Sequence, residues 1–334
     1  MSESVRLIVS MGIPCKDFES KQEGHKYDQA IIQVLDWNSK KVEQEVSYIS
    51  PDKNLGDGLS LQFKGATVSQ GKLYVVTNTE VLIYDRDTWR LLSVFSDPTF
   101  NDLHGVLPWK NNLYVCNTGL EVVQVLDEQT GKIIKTYDLA SGGIYQRFGK
   151  SVDFRRQGST KPHKYHINHL FVKDNEVWVT YGNKCKSVAL SNSENELFFR
   201  LNEGDEESII LGHDGLMKGA FIYFTTVNGH LVLVDSTTKE IHQDIDLNKI
   251  IDGSLSVGWT RGVEVIGDYA YVGITKPRHS KFKEYSKWLL KKKAKALPSG
   301  ILKIDLKNEK VDGFFEMKNY QGHAIYSILH DDSI

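Results

Sequence analysis

The sequence predicts an all-β fold: a six-bladed β-propeller filling residues 1–334 as a single domain, with one blade shared between the chain ends. Three observations predict it. Short runs rich in Val, Ile and Tyr, bounded by Asn, Asp and Gly, are strand signatures. They recur as four-strand units roughly every 40–50 residues, the period of a propeller blade. The two chain ends carry complementary parts of one further unit, and joining them closes the array and removes its open sheet edges.

The clearest unit is 102–138, DLHGVLPWKNNLYVCNTGLEVVQVLDEQTGKIIKTYD. It reads as strands at 103–107, 112–117, 122–126 and 132–137, with a polar hairpin turn at 127–131. Copies follow at 64–95, 168–201, 213–245 and 261–315, the last interrupted by an insertion. The third strand ends in aspartate at Asp85, Asp127, Asp235 and Asp305, where a carboxylate can bond the turn backbone. At the N-terminus, VRLIVSMG and AIIQVLDWNSKKVEQEVSYIS match strands two to four and supply Asp36, while the C-terminal GHAIYSILH matches strand one.

Composition narrows the function. A chain of 334 residues buries about three quarters of its unfolded surface and needs no covalent staples. The net charge of −2 gives no global field for nucleic acid or a membrane surface. Cys15, Cys116 and Cys185 are odd in number and lack paired spacing, which points to reduced thiols and a cytoplasmic setting. No secretory signal is recognised at MSESVRLIVS, and no apolar run is long enough to span a bilayer. Dinucleotide fingerprints, phosphate loops, nucleophile elbows and Cys–His zinc spacings are not found.

Three insertions, at 13–29, 140–165 and 276–299, break the repeat. All are expected on one face, where the innermost strands begin, and long loops on one rim usually cover a site. The third is read as a short helix near 281–296, with Phe282, Tyr285, Trp288 and Leu289 on one face and Lys281, Lys283, Lys287, Lys291, Lys292 and Lys295 on the rest. Its plain reading is a solvated lysine face. The functional readings are a lid over an anionic substrate and a docking surface for an acidic protein.

The chemistry gathers at one repeated position. Aligning the blades on their second strands puts Lys64, His104, Asn168 (beside His169), His213, Arg261 and His323 at the start of the innermost strand, nearest the axis. His166, two residues before Asn168, shares its side by alternation. Rotational symmetry makes such positions converge. Two imidazolium charges about 6 Å apart repel by roughly 3 kcal/mol at an effective dielectric near 20, so the histidines are expected neutral, as metal ligands and general bases must be. His104, His166, His169, His213 and His323 are the candidate ligands of a divalent transition metal, Fe, Zn or Mn. Lys64, Asn168, Arg261 and Arg278 are the candidate substrate-binding residues, and His104, His213 and Arg261 the candidate catalytic ones. The plain alternative is a polar channel that binds ordered water. Asp102, Asp214 and Glu264 near the ring, and His230, His242 and His330 on turns and outer strands, read as structural. His25, His163 and His279 lie in insertions and read as lid or surface residues.

At Arg261 the chain reads WTRGVEVIGDYAYVGITKPR, followed after the insertion by SGILKIDLKNEKVDGFF. This resembles a family of uncharacterised bacterial six-bladed propeller proteins with a TRG…VG(L/I)(S/T)KxR segment; DLHGV, YHINHL and GHDG are similar to further pieces of it. The most specific part falls on Thr260, Arg261, Gly262, Lys276 and Arg278. The chain departs from the family at Tyr165, where the family tends to have Cys, and at His169, where it has Gly. The resemblance implies the fold and the importance of these positions, and brings no reaction with it.

The expected function is therefore an enzyme with a histidine-lined axial pocket, possessing metal-binding potential, for a small anionic or sugar-like molecule. Hydrolase, lyase, isomerase and oxygenase chemistry all stay open. The alternative is a non-catalytic scaffold that binds an acidic protein or ligand through its insertion-bearing face. Nucleic acid and a membrane span are not expected.

Overall fold

The computed structural model describes residues 4–17, 21, 26–51, 59–200, 211–276, 295–317 and 324–332. Six four-stranded sheets form the blades. Blade 1 runs through Ala66–Ser69, Lys72–Val76, Val81–Asp85 and Leu91–Phe95. Blade 2 is Leu103–Trp109, Asn112–Asn117, Val122–Asp127 and Ile133–Asp138; blade 3 is Ile167–Lys173, Glu176–Tyr181, Lys186–Ala189 and Glu196–Phe198. Blade 4 is Gly212–Lys218, Phe221–Thr226, His230–Asp235 and Ile241–Asp246; blade 5 is Trp259–Ile266, Tyr269–Thr275, Gly300–Asp305 and Lys310–Glu316. Blade 6 closes the array as expected: C-terminal Ala324–His330 pairs antiparallel with Arg6–Pro14, from Leu7↔His330 to Gly12↔Ala324, and Tyr27–Asp36 and Lys41–Tyr48 follow outward.

The core lies between blades, not at the hub. Alternation along each second strand sends neighbouring side chains to opposite blades. Leu73 and Val75 pack with Ile8 and Ile32 of blade 6, whereas Tyr74 and Val76 pack with Val106 and Val115 of blade 2. The same two-sided packing repeats at every junction. The outer strands are half-exposed, as the alternation in Lys41–Tyr48 illustrates.

Nearer the axis the junctions are polar. Buried hydroxyls on one blade bond the innermost strand of the next: Ser10 to the Lys64 carbonyl (2.5 Å), Thr118 to Ile167 (2.5 Å) and Thr180 to Asp214 (2.8 Å). Between blades 5 and 6 the direction reverses, and the Ile325 amide donates to Thr275 (3.1 Å). These bonds satisfy backbone groups that water cannot reach.

The repeated aspartates act as expected. Asp85 accepts the Thr88 amide (2.8 Å), Asp127 the Thr130 amide (2.8 Å), Asp235 the Thr238 amide (2.8 Å), Asp305 the Asn308 amide (2.9 Å) and Asp36 the Ser39 amide (2.6 Å). Each turn then passes through a left-handed residue: Trp89, Gly131, Lys239, Glu309 or Lys40.

The insertions differ in detail from the expectation. Pairing of Ile13 with Gln29 and Pro14 with Tyr27 lengthens the strands and shortens the first insertion. The second holds a short helix, Gly143–Phe148, and a 3-10 turn, Phe154–Arg156, that seat Ile144 and Phe154 on Leu120 and Val122 of blade 2. The helix expected near 281–296 lies outside the described residues except at its end. There Lys295–Ala296 is extended, not helical, and pairs parallel with Leu255–Ser256, because its amide and that of Leu297 are bonded to the Ser254 and Ser256 carbonyls. Among the described residues no helix is long and apolar enough to cross a membrane.

Candidate functional site

The ring residues owe their aim to a backbone irregularity. Lys64, His104, Asn168, His213 and Arg261 each stand ten residues before an aromatic of the second strand: Tyr74, Tyr114, Trp178, Tyr223 and Tyr271. At or within two residues of each of them the ladder slips. Pairing skips His104 between Leu103 and Gly105, Asn168 between Ile167 and His169, and Arg261 with Gly262 between Thr260 and Val263. In blade 4 the slip falls at Gly215, and in blade 1 Val76 bonds both Lys64 (2.8 Å) and Gly65 (3.3 Å). A bulge of this kind releases a side chain from strict alternation and re-aims it.

The same slip recurs in blade 6. There the unpaired residue is Tyr326, between Ser327↔Ser10 and Ile325↔Met11, which gives it the register position that Lys64, His104, Asn168 and Arg261 hold in their blades. His323, expected at the sixth ring place, lies outside the described residues, as does Arg278. The Tyr326 hydroxyl donates to Gln62 Oε1 (3.1 Å), two residues before Lys64.

The structure brings three of the candidate histidines together. The His166 ring stands edge-on between His104 (centroids 5.1 Å) and His213 (6.0 Å). His163, from the second insertion, stacks on its other side (5.6 Å). His169 makes no ring contact with this group, although it is near enough to His213 to oppose its protonation. Among the described residues no group of three His, Cys, Asp or Glu side chains is placed to hold a metal ion.

Burial sets the charge state. It pushes His104 down to about 3, with the Lys64 charge adding to the effect, and His169 down to about 4. It carries His166 and His213 well below the ordinary histidine range, with His104 and Arg261 respectively as the largest charge contributions. The imidazoles are neutral as expected, but desolvation is the larger cause and mutual repulsion the smaller.

The two cations at the ring differ. Lys64, 1% exposed, is ion-paired with Asp102, whose carboxyl is raised by partial burial but held well below the usual carboxylate range by the Lys64 charge. Arg261 has no such pair among the described residues. Its guanidinium lies over the rings of Trp259 (5.7 Å) and Tyr326 (5.3 Å), and its Nε has no hydrogen-bond partner among the described residues. His166 Nε2, His213 Nε2 and Asn168 Oδ1 are likewise buried without a partner among the described residues. Leaving one buried polar atom unpaired costs about 1–3 kcal/mol. Four at one hub are a demand for water or a ligand.

Sequence reasoning missed the supports. Glu121 accepts the consecutive amides of Lys164 (2.8 Å), Tyr165 (2.5 Å) and His166 (3.0 Å), which fixes the approach to His166 in its left-handed conformation. Asn168 donates to the Gly212 carbonyl (2.7 Å). Asp214 and Glu264, expected to be structural, both accept hydrogen bonds from neighbouring strands. Asp214, pushed up to about 6 by burial, accepts from Thr225 (2.5 Å) and Gly262 (3.0 Å), and Glu264 accepts the His330 amide (2.9 Å).

No protein-family model and no curated protein matches the chain. Among solved structures it is similar to a protein of unknown function from Bacteroides caccae, with TM-score 0.59 and 11% identity over 99% of this chain and 100% of that one. It is also similar to a chain of a nidogen/laminin complex, with TM-score 0.56 and 7% identity over 98% and 97%. At these identities the likeness shows the fold alone: a propeller shared with an uncharacterised bacterial protein.

Proposed function

We propose that the protein is an enzyme whose axial pocket takes a small anionic or sugar-like molecule. The observation that carries this reading is the set of four buried polar atoms, on His166, Asn168, His213 and Arg261, that have no partner among the described residues. Arg261, with no ion pair among the described residues, holds the anionic group. His104, His166 and His213, kept neutral by burial, take or give the proton of a substrate hydroxyl. Lys64 is occupied by Asp102 and shapes the field instead of gripping the substrate. The three cysteines form no disulfide, which agrees with a reducing, cytoplasmic setting.

A divalent transition metal, Fe, Zn or Mn, is a second form of the proposal, favoured by the buried Nε2 atoms of His166 and His213. The described residues do not preform a three-ligand group, so no step is routed through a metal. Metal analysis of protein purified without a histidine tag tests that form: a stoichiometric transition metal supports it, and traces unchanged by added metal remove it. The scaffold reading rests on lysines that lie, apart from Lys295, outside the described residues, and no observation favours it.

The test of the main reading is equilibrium dialysis against a small-molecule extract, followed by mass spectrometry. The wild type retains or converts a carboxylate- or phosphate-bearing compound, and Arg261→Gln does not. Retention of nothing by the wild type, or equal behaviour of the variant, contradicts it.

A further inference from the structure

A chain of hydrogen bonds leads from the second insertion to the hub, and its direction is fixed at the outer end. The Asn101 amide nitrogen faces two carbonyls, Phe154 O (2.8 Å) and Gln157 O (2.8 Å), so it is the donor end of that side chain. Asn101 Oδ1 is then an acceptor and takes the Thr160 hydroxyl proton (3.3 Å). Thr160 has one proton for two neighbours; Asn101 Oδ1 is buried and can only accept, whereas an imidazole nitrogen can donate, so with the proton on Asn101 the Thr160 Oγ1 accepts from His163 Nε2 (3.1 Å). A neutral His163 that carries its proton on Nε2 has a lone pair on Nδ1. With His163 in that tautomer, the contact between His163 Nδ1 and His166 Nδ1 (3.3 Å) is donated by His166. That leaves His166 Nε2 unprotonated, and it is the nitrogen with no partner among the described residues.

His104 reaches the same tautomer by a shorter route. Its Nδ1 donates to the Asp102 carbonyl (2.8 Å), which cannot donate in return, so its Nε2 also carries a lone pair. The two rings are neighbours, with centroids 5.1 Å apart. The Arg261 charge is felt at both His104 and His213.

We infer that Asn101, Thr160 and His163 are positioning residues that lock His166 in the Nδ1–H tautomer, so that the pocket offers two adjacent acceptor nitrogens beside one cation and selects a hydroxylated carboxylate. Two hydroxyls of the ligand donate to His104 and His166, and its carboxylate meets Arg261. A plain fatty acid has the anion without the donors; a neutral sugar has the donors without the anion. The substrate class rests on the reading of the axial pocket as a small-molecule site; the tautomer does not.

The experiment is long-range proton–nitrogen NMR on tag-free, chelator-treated protein labelled with nitrogen-15 at histidine, assigned with His104→Asn, His163→Asn and His166→Asn. In the wild type, His104 and His166 show an unprotonated Nε2, and His163 shows the reverse pattern. Thr160→Val releases His163 and His166 into mixed tautomers, whereas Thr160→Ser retains the wild-type pattern. A protonated His166 Nε2 in the wild type, or a pattern unmoved by Thr160→Val, overturns the relay. If Thr160→Val does not fold, the wild-type spectrum alone decides. Sodium gluconate and sodium hexanoate are then added separately. Gluconate shifts the Nε2 signals of both His104 and His166, and hexanoate leaves them in place. Equal shifts from the two overturn the selectivity for hydroxyls. No shift from either, with the tautomers as expected, overturns the substrate class and counts against the small-anion pocket, but leaves the relay standing.

Discussion

Lys64 and Asp102 form an ion pair across the junction of blades 1 and 2, with the lysine side chain 2% and the aspartate 30% exposed. The pair holds one of two ring cations in place and leaves Arg261 as the other. Removing one partner of a buried pair costs about 3–5 kcal/mol because the other charge is stranded. Asp102 is partly open to solvent, so Asp102→Asn is expected at the lower end, about 3 kcal/mol. Lys64→Met combined with Asp102→Leu is expected to recover most of that loss. Urea denaturation of the three proteins checks both statements.

Glu121 replaces three missing amide partners with one carboxylate. Hydrogen bonds to a charged group are worth about 1.5–3 kcal/mol. Glu121→Gln turns one acceptor oxygen into a donor facing an amide, and the expected loss is about 2 kcal/mol. The His166 amide, now bonded at 3.0 Å, should also exchange with solvent faster than in the wild type, which hydrogen exchange reads directly.

Two glycines separate hub packing from ordinary tolerance. A Cβ on Gly182 would stand 2.6 Å from Asn168 Nδ2 and 2.8 Å from the Gly212 carbonyl, so it would break the bond that fixes Asn168. Gly182→Ala is expected to cost about 1–3 kcal/mol, the usual range for overpacking. Gly143, at the start of the insertion helix, has nothing within 4 Å of its Cβ position, and Gly143→Ala is expected to be neutral or slightly stabilising. Thermal denaturation of the two variants side by side makes the comparison.

A pH effect is expected well away from the hub. Burial alone would lower the His230 pKa, but the Asp244 carboxylate at 2.8 Å outweighs it and the net shift is upward. A raised histidine contributes its stability fully below its unfolded pKa of about 6.5 and loses it as pH rises through the folded value. Asp244→Asn should flatten that part of the stability–pH curve. Chemical denaturation at a series of pH values around neutrality measures it.

The blades were legible because their cues are local. In five of the six blades the third strand ends in an aspartate that closes its own turn, and each second strand alternates between two inter-blade layers. The ring was legible because a constant ten-residue count to an aromatic survives in five blades. That count fails in the split blade, where the two halves lie at opposite chain ends and only pairing reveals Tyr326. Glu121 was not legible because its partners are backbone amides, which carry no side-chain signature. His163 sits in an insertion with no repeat to align it, so its stacking on His166 follows only from the folded path of that loop.

The most direct test of the axial site is an experimental density map at the hub of the tag-free protein. The account predicts ordered non-protein density, from solvent or a retained small molecule, within hydrogen-bond reach of His166 Nε2, His213 Nε2, Asn168 Oδ1 and Arg261 Nε. Finding those four atoms paired with protein groups, or the three imidazoles turned away from one another, would contradict it.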